Sequence, residues 1–236
     1  MKPIDVFQLI KTTSIFYMTL IYLMKSYRKG ACINQLKQDW ALAVLRKFDF
    51  QIEVKNRLLN TNHNQIILGN HISFLDILVL LALQPQTVFL SKIEVARWPI
   101  IGAGAKRMGT LFVNRGCSQS RAHAKNQIKD IFVKGQKPIH LAGFPSGTTC
   151  LTESKPWKKG LFEIAEQSET QVQPFRISYE PLRECAYIDD DNLFLSLAKL
   201  FKTPNKKVIF EWGEAFYVNQ LETQMLELQR WTARQV

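Results

Sequence analysis

A chain of 236 residues, 46% hydrophobic and 22% charged, can bury one sizeable core and needs no second globular domain. Its net charge of +11 calls for an anionic partner. The basic residues are scattered, with no zinc-finger spacing, RNP-like segment or arginine-rich arm, so nucleic-acid binding has only charge behind it and is not expected.

The N-terminal stretch from Ile4 to Met24 is rich in Ile, Leu, Phe, Tyr and Met, but Asp5, Gln8 and Lys11 interrupt it. Its uninterrupted apolar part, Ser14 to Met24, is about half of the ~20 residues that a membrane span needs. Residues 1–32 are therefore expected to lie on a bilayer rather than cross it. Lys25, Arg28 and Lys29 would sit among anionic headgroups, and Phe16, Tyr17, Tyr22 and Tyr27 at the interface. A true transmembrane span and an ordinary buried helix are the two alternatives. A cleaved signal peptide is not expected, because a basic start and a small-residue cleavage site are both missing.

Residues 33–236 read as one α/β domain. Ile33, Leu36, Trp40, Val44 and Phe48 repeat at helical spacing, and Phe50 to Val54 alternates like a half-exposed edge strand. Strands are expected at 65–69, 87–91, 110–114, 138–144 and 207–212, with helices at 77–83, 120–134 and 159–167. A last helix, 219–235, has Asn219 and Glu222 as its capping pair. Alternating strands and helices give a mixed, largely parallel sheet flanked by helices, covered on both faces. Cys32, Cys117, Cys150 and Cys185 are widely spaced and read as reduced thiols, not as a disulfide framework or a metal site.

The most informative residues are Asn70-His71-Ile72-Ser73-Phe74-Leu75-Asp76, on the turn between the 65–69 strand and the next helix. On a regular helix the H-x4-D spacing is about 140° of rotation, so His71 and Asp76 meet only if the turn curls back. A histidine held by a carboxylate is a general base of fixed tautomer, whereas a helix cap with a turn-stabilising pair would leave the same short pattern. Three further clusters sit at strand ends, where α/β folds place ligands. Gly109 to Arg115 delivers an arginine suited to a phosphate, and Phe144-Pro145-Ser146-Gly147-Thr148-Thr149 makes a turn whose N–H groups suit an anion. Lys158 and Lys159 precede a helix, an unfavourable place for cations unless an anion lies between them.

These blocks, in this order, resemble the glycerolipid acyltransferases typified by 1-acylglycerol-3-phosphate O-acyltransferase. Asn70–Asp76 is similar to their first motif, Gly109–Arg115 to the second, Phe144–Thr149 to the third and Val172–Phe175 to the fourth. Trp157 to Phe162 resembles the family's aromatic-Lys-Lys-Gly segment. The resemblance covers about residues 33–217. It implies acyl transfer from a thioester, of acyl carrier protein or coenzyme A as co-substrate, to a lysolipid hydroxyl at the cytoplasmic face of the membrane, with no resident cofactor or metal. His71 and Asp76 would be catalytic. Asn70, Arg115, Ser146, Gly147, Thr148, Lys158 and Lys159 would bind substrate. The acceptor implied first is 1-acyl-sn-glycerol-3-phosphate, with another lysolipid such as lyso-ornithine lipid as the alternative. Two departures bear on that choice: Ser146 replaces the family's usual glutamate, and Thr149 stands where phosphatidate-forming members often have an arginine. Two rivals remain. A serine hydrolase would need G-x-S-x-G, but Ser146 comes one place late, and a non-catalytic membrane-binding module would not need His71.

Overall fold

The computed structural model describes residues 6–56, 62–114, 116–134, 138–188 and 190–234. Helices α1 (Val6–Ser26) and α2 (Ile33–Lys47) precede strands β1 (Phe50–Lys55) and β2 (Gln65–Gly69). Then come α3 (Leu75–Leu83), β3 (Thr87–Lys92), α4 (Ile101–Arg107), β4 (Leu111–Val113), α5 (Ser118–Lys134) and β5 (His140–Gly143). The chain ends with α6 (Gly160–Gln167), β6 (Gln171–Glu180), α7 (Leu182–Cys185), α8 (Leu193–Lys202), β7 (Lys206–Trp212) and α9 (Leu221–Ala233).

Among the described residues the strands form one seven-stranded sheet in the order β1-β7-β6-β2-β5-β3-β4. Every neighbouring pair is parallel except β6 with β7, so the expected mixed, largely parallel sheet is present. Strand β2 is central and buried throughout, which is why its sequence is a continuous apolar run rather than an alternating one. It sends Ile67 into a core built with α2, α3 and α8, and Ile66 and Leu68 into a second core with α5, α6 and α9. Helices thus cover both faces. Strand β1 is at the sheet edge, as its alternation implied.

Three local expectations change. Helix α3 starts at Leu75, and this places Asp76 in its first turn. The start of α9 is held by Gln224, whose Oε1 accepts the N–H groups of Asn219 (2.9 Å) and Gln220 (3.0 Å), because Glu222 is engaged by Lys159 instead. The ten-residue β6 was seen in sequence only as a short motif, because Pro174 inside a run argues against a strand. Pro174 is tolerated because it lies just past the last β6–β7 pair, Phe175 with Trp212, where no ladder bond is lost.

Helix α1 is amphipathic in a particular way. Gln8, Thr12 and Ile15 are buried against the domain, while Leu9, Ile10, Tyr17, Leu20, Ile21 and Met24 form an exposed stripe. Phe16 stacks on Phe194 of α8, with ring centroids 5.2 Å apart, and Phe194 and Leu195 are exposed beside it. At the far end, the Arg107 guanidinium of α4 donates twice to the Ser26 carbonyl, at 3.1 and 2.6 Å, and covers the Tyr27 ring. Among the described residues no helix is long and apolar enough to cross a membrane.

Candidate active site

The site begins where β2 runs out. Gly69 is the last strand residue, and a Cβ there would fall 2.4 Å from the Phe175 carbonyl, so glycine lets β6 approach β2 closely. The next residue, Asn70, then continues the ladder with its side chain: Nδ2 donates to the Ile177 carbonyl and Oδ1 accepts the Ile177 N–H, both at 2.8 Å. Asn70 is buried, and its amide is spent on β6 rather than offered to a substrate.

With β2 ended, the chain curls as the H-x4-D spacing required. The Asp76 carboxylate folds back on the turn, its Oδ2 accepting the N–H groups of Ile72 (2.7 Å) and Ser73 (3.0 Å). This brings Oδ2 to 2.7 Å from His71 Nδ1. Asp76 has no solvent exposure and sits at the positive end of α3, where an anion is favoured. Its Oδ1 accepts the Tyr179 hydroxyl at 2.6 Å. Burial, together with the adjacent carboxylate, pushes the Tyr179 pKa well up, so this hydroxyl remains a donor. Sequence reasoning missed Tyr179, which is 103 residues from its partner.

The imidazole of His71 lies flat on Phe144, the residue that follows β5, with centroids 3.8 Å apart and planes 10° from parallel. Its side chain is 16% exposed. Nδ1 is bound to Asp76, so the tautomer with hydrogen on Nδ1 leaves Nε2 as the proton acceptor. Such a pair can take a proton from a hydroxyl and return it to a leaving group.

A groove of about 640 Å³ adjoins the Phe144 turn, at the C-terminal ends of β3, β4 and β5. Its walls include Lys92, Glu94, Trp98, Asn114 and Lys158, and Ser146, Gly147 and Thr148 complete it. Four of the residues expected from sequence therefore share one groove, whose 146–148 wall follows Phe144 directly. Within that turn Gly147, at φ +75°, gives its N–H to the Phe144 carbonyl, and the Ser146 hydroxyl donates to the Thr148 carbonyl at 2.9 Å. The Gly147 N–H is thus taken up inside the turn. Ser146 is buried and tied, as a structural serine is. Lys159 does not reach the groove and pairs with Glu222 on α9. Arg115 lies outside the described residues, although Asn114 and Gly116 on either side of it line the groove.

A family model described as Acyltransferase matches residues 51–178, more than half of the chain. The chain belongs to the acyltransferase family. It is 32% identical over 182 residues to a lyso-ornithine lipid O-acyltransferase of Pseudomonas aeruginosa, covering 73% of this chain and 68% of that one. It is 26% identical over 147 residues to a 1-acyl-sn-glycerol-3-phosphate acyltransferase of Neisseria meningitidis, covering 62% of this chain and only 56% of the relative. The fold of this acyltransferase is also that of a 1-acyl-sn-glycerophosphate acyltransferase, PlsC, of Thermotoga maritima. The TM-score is 0.70 at 14% identity, over 97% of this chain and 94% of the other. This acyltransferase is accordingly an enzyme of the same class as relatives that act on lysolipids.

Proposed function

We propose that this acyltransferase moves a fatty acyl group from a thioester of acyl carrier protein or coenzyme A to the free hydroxyl of a lysolipid, with His71 as general base. The observation that carries the proposal is the 2.7 Å contact of Asp76 with His71 Nδ1, which leaves Nε2 directed to other partners. Nε2 takes the hydroxyl proton as the alcohol attacks the thioester carbonyl, and Asp76 stabilises the imidazolium that forms. The proton then goes to the leaving thiolate. No acyl-enzyme is required. The N–H groups of Ser146, Thr148 and Thr149 are the remaining candidates in the turn to face the oxyanion.

For the acceptor, a lyso-ornithine lipid is favoured by the groove's mixed charge. Glu94 beside Lys92 and Lys158 complements a headgroup carrying both an ammonium and a carboxylate, and Thr149 brings no cation for a phosphomonoester. The relative with 32% identity acts on that lipid by its name. Lysophosphatidate is the second reading, supported by Lys92 and Lys158 and by Arg115 at the end of its motif. The exposed stripe of α1, extended by Phe194 and Leu195, supports placing the N-terminal segment in a bilayer interface, with Lys25, Arg28 and Lys29 at the headgroups; the cytoplasmic face is the side proposed for it.

Thiol release from acyl-thioester in the presence of each lysolipid tests the proposal. Turnover should be greatest with lyso-ornithine lipid and fall by at least about a thousandfold in His71→Ala, in line with loss of a base that also holds the leaving-group proton. An Ala variant that keeps its rate would remove His71 from the chemistry, and a preference for lysophosphatidate would move the acceptor to the second reading. Co-sedimentation with anionic vesicles, lost in Ile21→Glu, tests the interfacial helix.

A further inference from the structure

A second carboxylate stands beside the His71–Asp76 pair and has no part in the scheme above. Glu153 is the one acidic residue between β5 and α6, and it is only 7% exposed. Its Oε1 accepts the His71 backbone N–H at 3.3 Å and the Cys150 thiol at 3.6 Å, and its Oε2 accepts the Trp157 indole N–H at 2.5 Å. From the other side, the Cys150 N–H donates to the His71 carbonyl at 2.8 Å. Both backbone groups of His71 are therefore held by the 150–153 segment. That segment is itself fastened, because Gln229 of α9 donates to the carbonyls of Glu153 (2.7 Å) and Lys155 (3.0 Å).

The partners of Glu153 are all donors. Burial pushes the Cys150 thiol up to about 12, so it keeps its hydrogen, and the indole and the backbone amide have no other option. Three donors are the partners that suit an anion. Burial raises the Glu153 pKa, and these bonds and the nearby His71 act against that rise. A buried carboxylate carries a desolvation cost that a neutral residue of the same shape avoids, so packing alone does not account for it. The titratable groups around His71 are Asp76 on α3, Tyr179 on β6 acting through Asp76, and Cys150 and Glu153 on the loop, with Lys155 beyond them. Tyr179 and Cys150 stay neutral, so any negative charge at the site comes from the carboxyl groups of Asp76 and Glu153.

We propose that Glu153 is a positioning residue for acyl transfer: its bond to the His71 N–H fixes where the imidazole sits, and its charge supports the imidazolium formed when His71 takes the acceptor's proton. The inference rests on the reading of His71 as the base.

The test compares pH profiles of kcat and kcat/KM for the wild type, Glu153→Gln, Glu153→Asp and His71→Ala, with melting curves for each. His71→Ala checks the underlying reading: if it turns over at the wild-type rate, that reading fails whatever Glu153 does. With His71→Ala silent, Glu153→Gln keeps the shape but not the charge. It should melt near the wild type, lose about tenfold in kcat with little change in KM, and shift the acid limb of kcat/KM down by about one pH unit, the amount that matches a tenfold change. Glu153→Asp, which restores the charge, should return the limb toward its wild-type position. A Glu153→Gln enzyme whose acid limb does not move, or whose kcat stays within twofold of the wild type, would overturn the inference.

Discussion

Removing one oxygen from Tyr179 tests how the base is aimed. Tyr179→Phe keeps the buried ring and its edge-on contact with Phe50, at 6.1 Å and 74°, and deletes only the hydroxyl that lies 2.6 Å from Asp76 Oδ1. A hydrogen bond to a charged group is worth roughly 1.5–3 kcal/mol, and here the loss leaves one oxygen of a fully buried carboxylate unsatisfied, so about 2–3 kcal/mol of stability should go. The two backbone bonds to Oδ2 remain, so the carboxylate stays in place but can swing about them, and turnover should fall about tenfold. Denaturant unfolding gives the first quantity, with an unchanged m-value showing that the two-state comparison holds. Thiol release gives the second. Stability within about 0.5 kcal/mol of the wild type would refute the energetic argument. Lower stability at unchanged kcat would show that Tyr179 fills space without aiming Asp76.

Gly69→Ala would place a Cβ 2.4 Å from the Phe175 carbonyl and 2.6 Å from its ring, so a loss of more than about 3 kcal/mol is expected; a wild-type melting curve would mean that β2 and β6 can part cheaply. Lys158→Ala should raise KM for the acceptor severalfold with kcat nearly unchanged, as for a groove cation that binds ground and transition states alike, and an unchanged KM would place the headgroup elsewhere. Lys37 of α2 is buried with its ammonium on the Thr87 carbonyl, 2.9 Å away, and burial lowers its pKa to about 8. The unfolded chain then binds more protons between about pH 8 and 10.5, so Lys37 should add stability as pH rises through that window, up to about 3 kcal/mol. Lys37→Met should flatten that rise in urea midpoints, and an equal slope in both proteins would refute the assignment.

The sequence was most legible where a local pattern decides the outcome. The apolar run of β2, the alternation of β1 and the spacing of α2 each came through, because burial on two faces, one face or a stripe leaves its own period. The curl that joins His71 to Asp76 was also readable, since no helix allows their contact. What the sequence hid depends on partners far away in the chain. Asn70 reads as a site residue until Ile177 is seen opposite it, and Lys159 reads as a phosphate ligand until Glu222 appears beside it. Ser146 reads as a carboxylate lost from its motif. The fold returns one to the same loop through Glu153, which no spacing rule marks because its meaning lies in a contact with His71, 82 residues earlier. The strand β6 escaped because the position of Pro174 relative to the end of β7 is a fact of pairing, not of composition.

Arg107 joins two levels of the molecule. Its fork on the Ser26 carbonyl fixes the last turn of α1 to α4, and the turn that leads into α4 puts Trp98 in the groove wall. On the proposed reading, in which α1 rests in a lipid interface, the groove would be held at a set height above the acyl chains, and that height would work as a ruler. An acceptor still anchored in the bilayer can present its hydroxyl only as far out as its own headgroup allows. Lipids would then be sorted by reach as well as by charge, and an altered Arg107 would reset the scale without touching any group proposed to handle a proton.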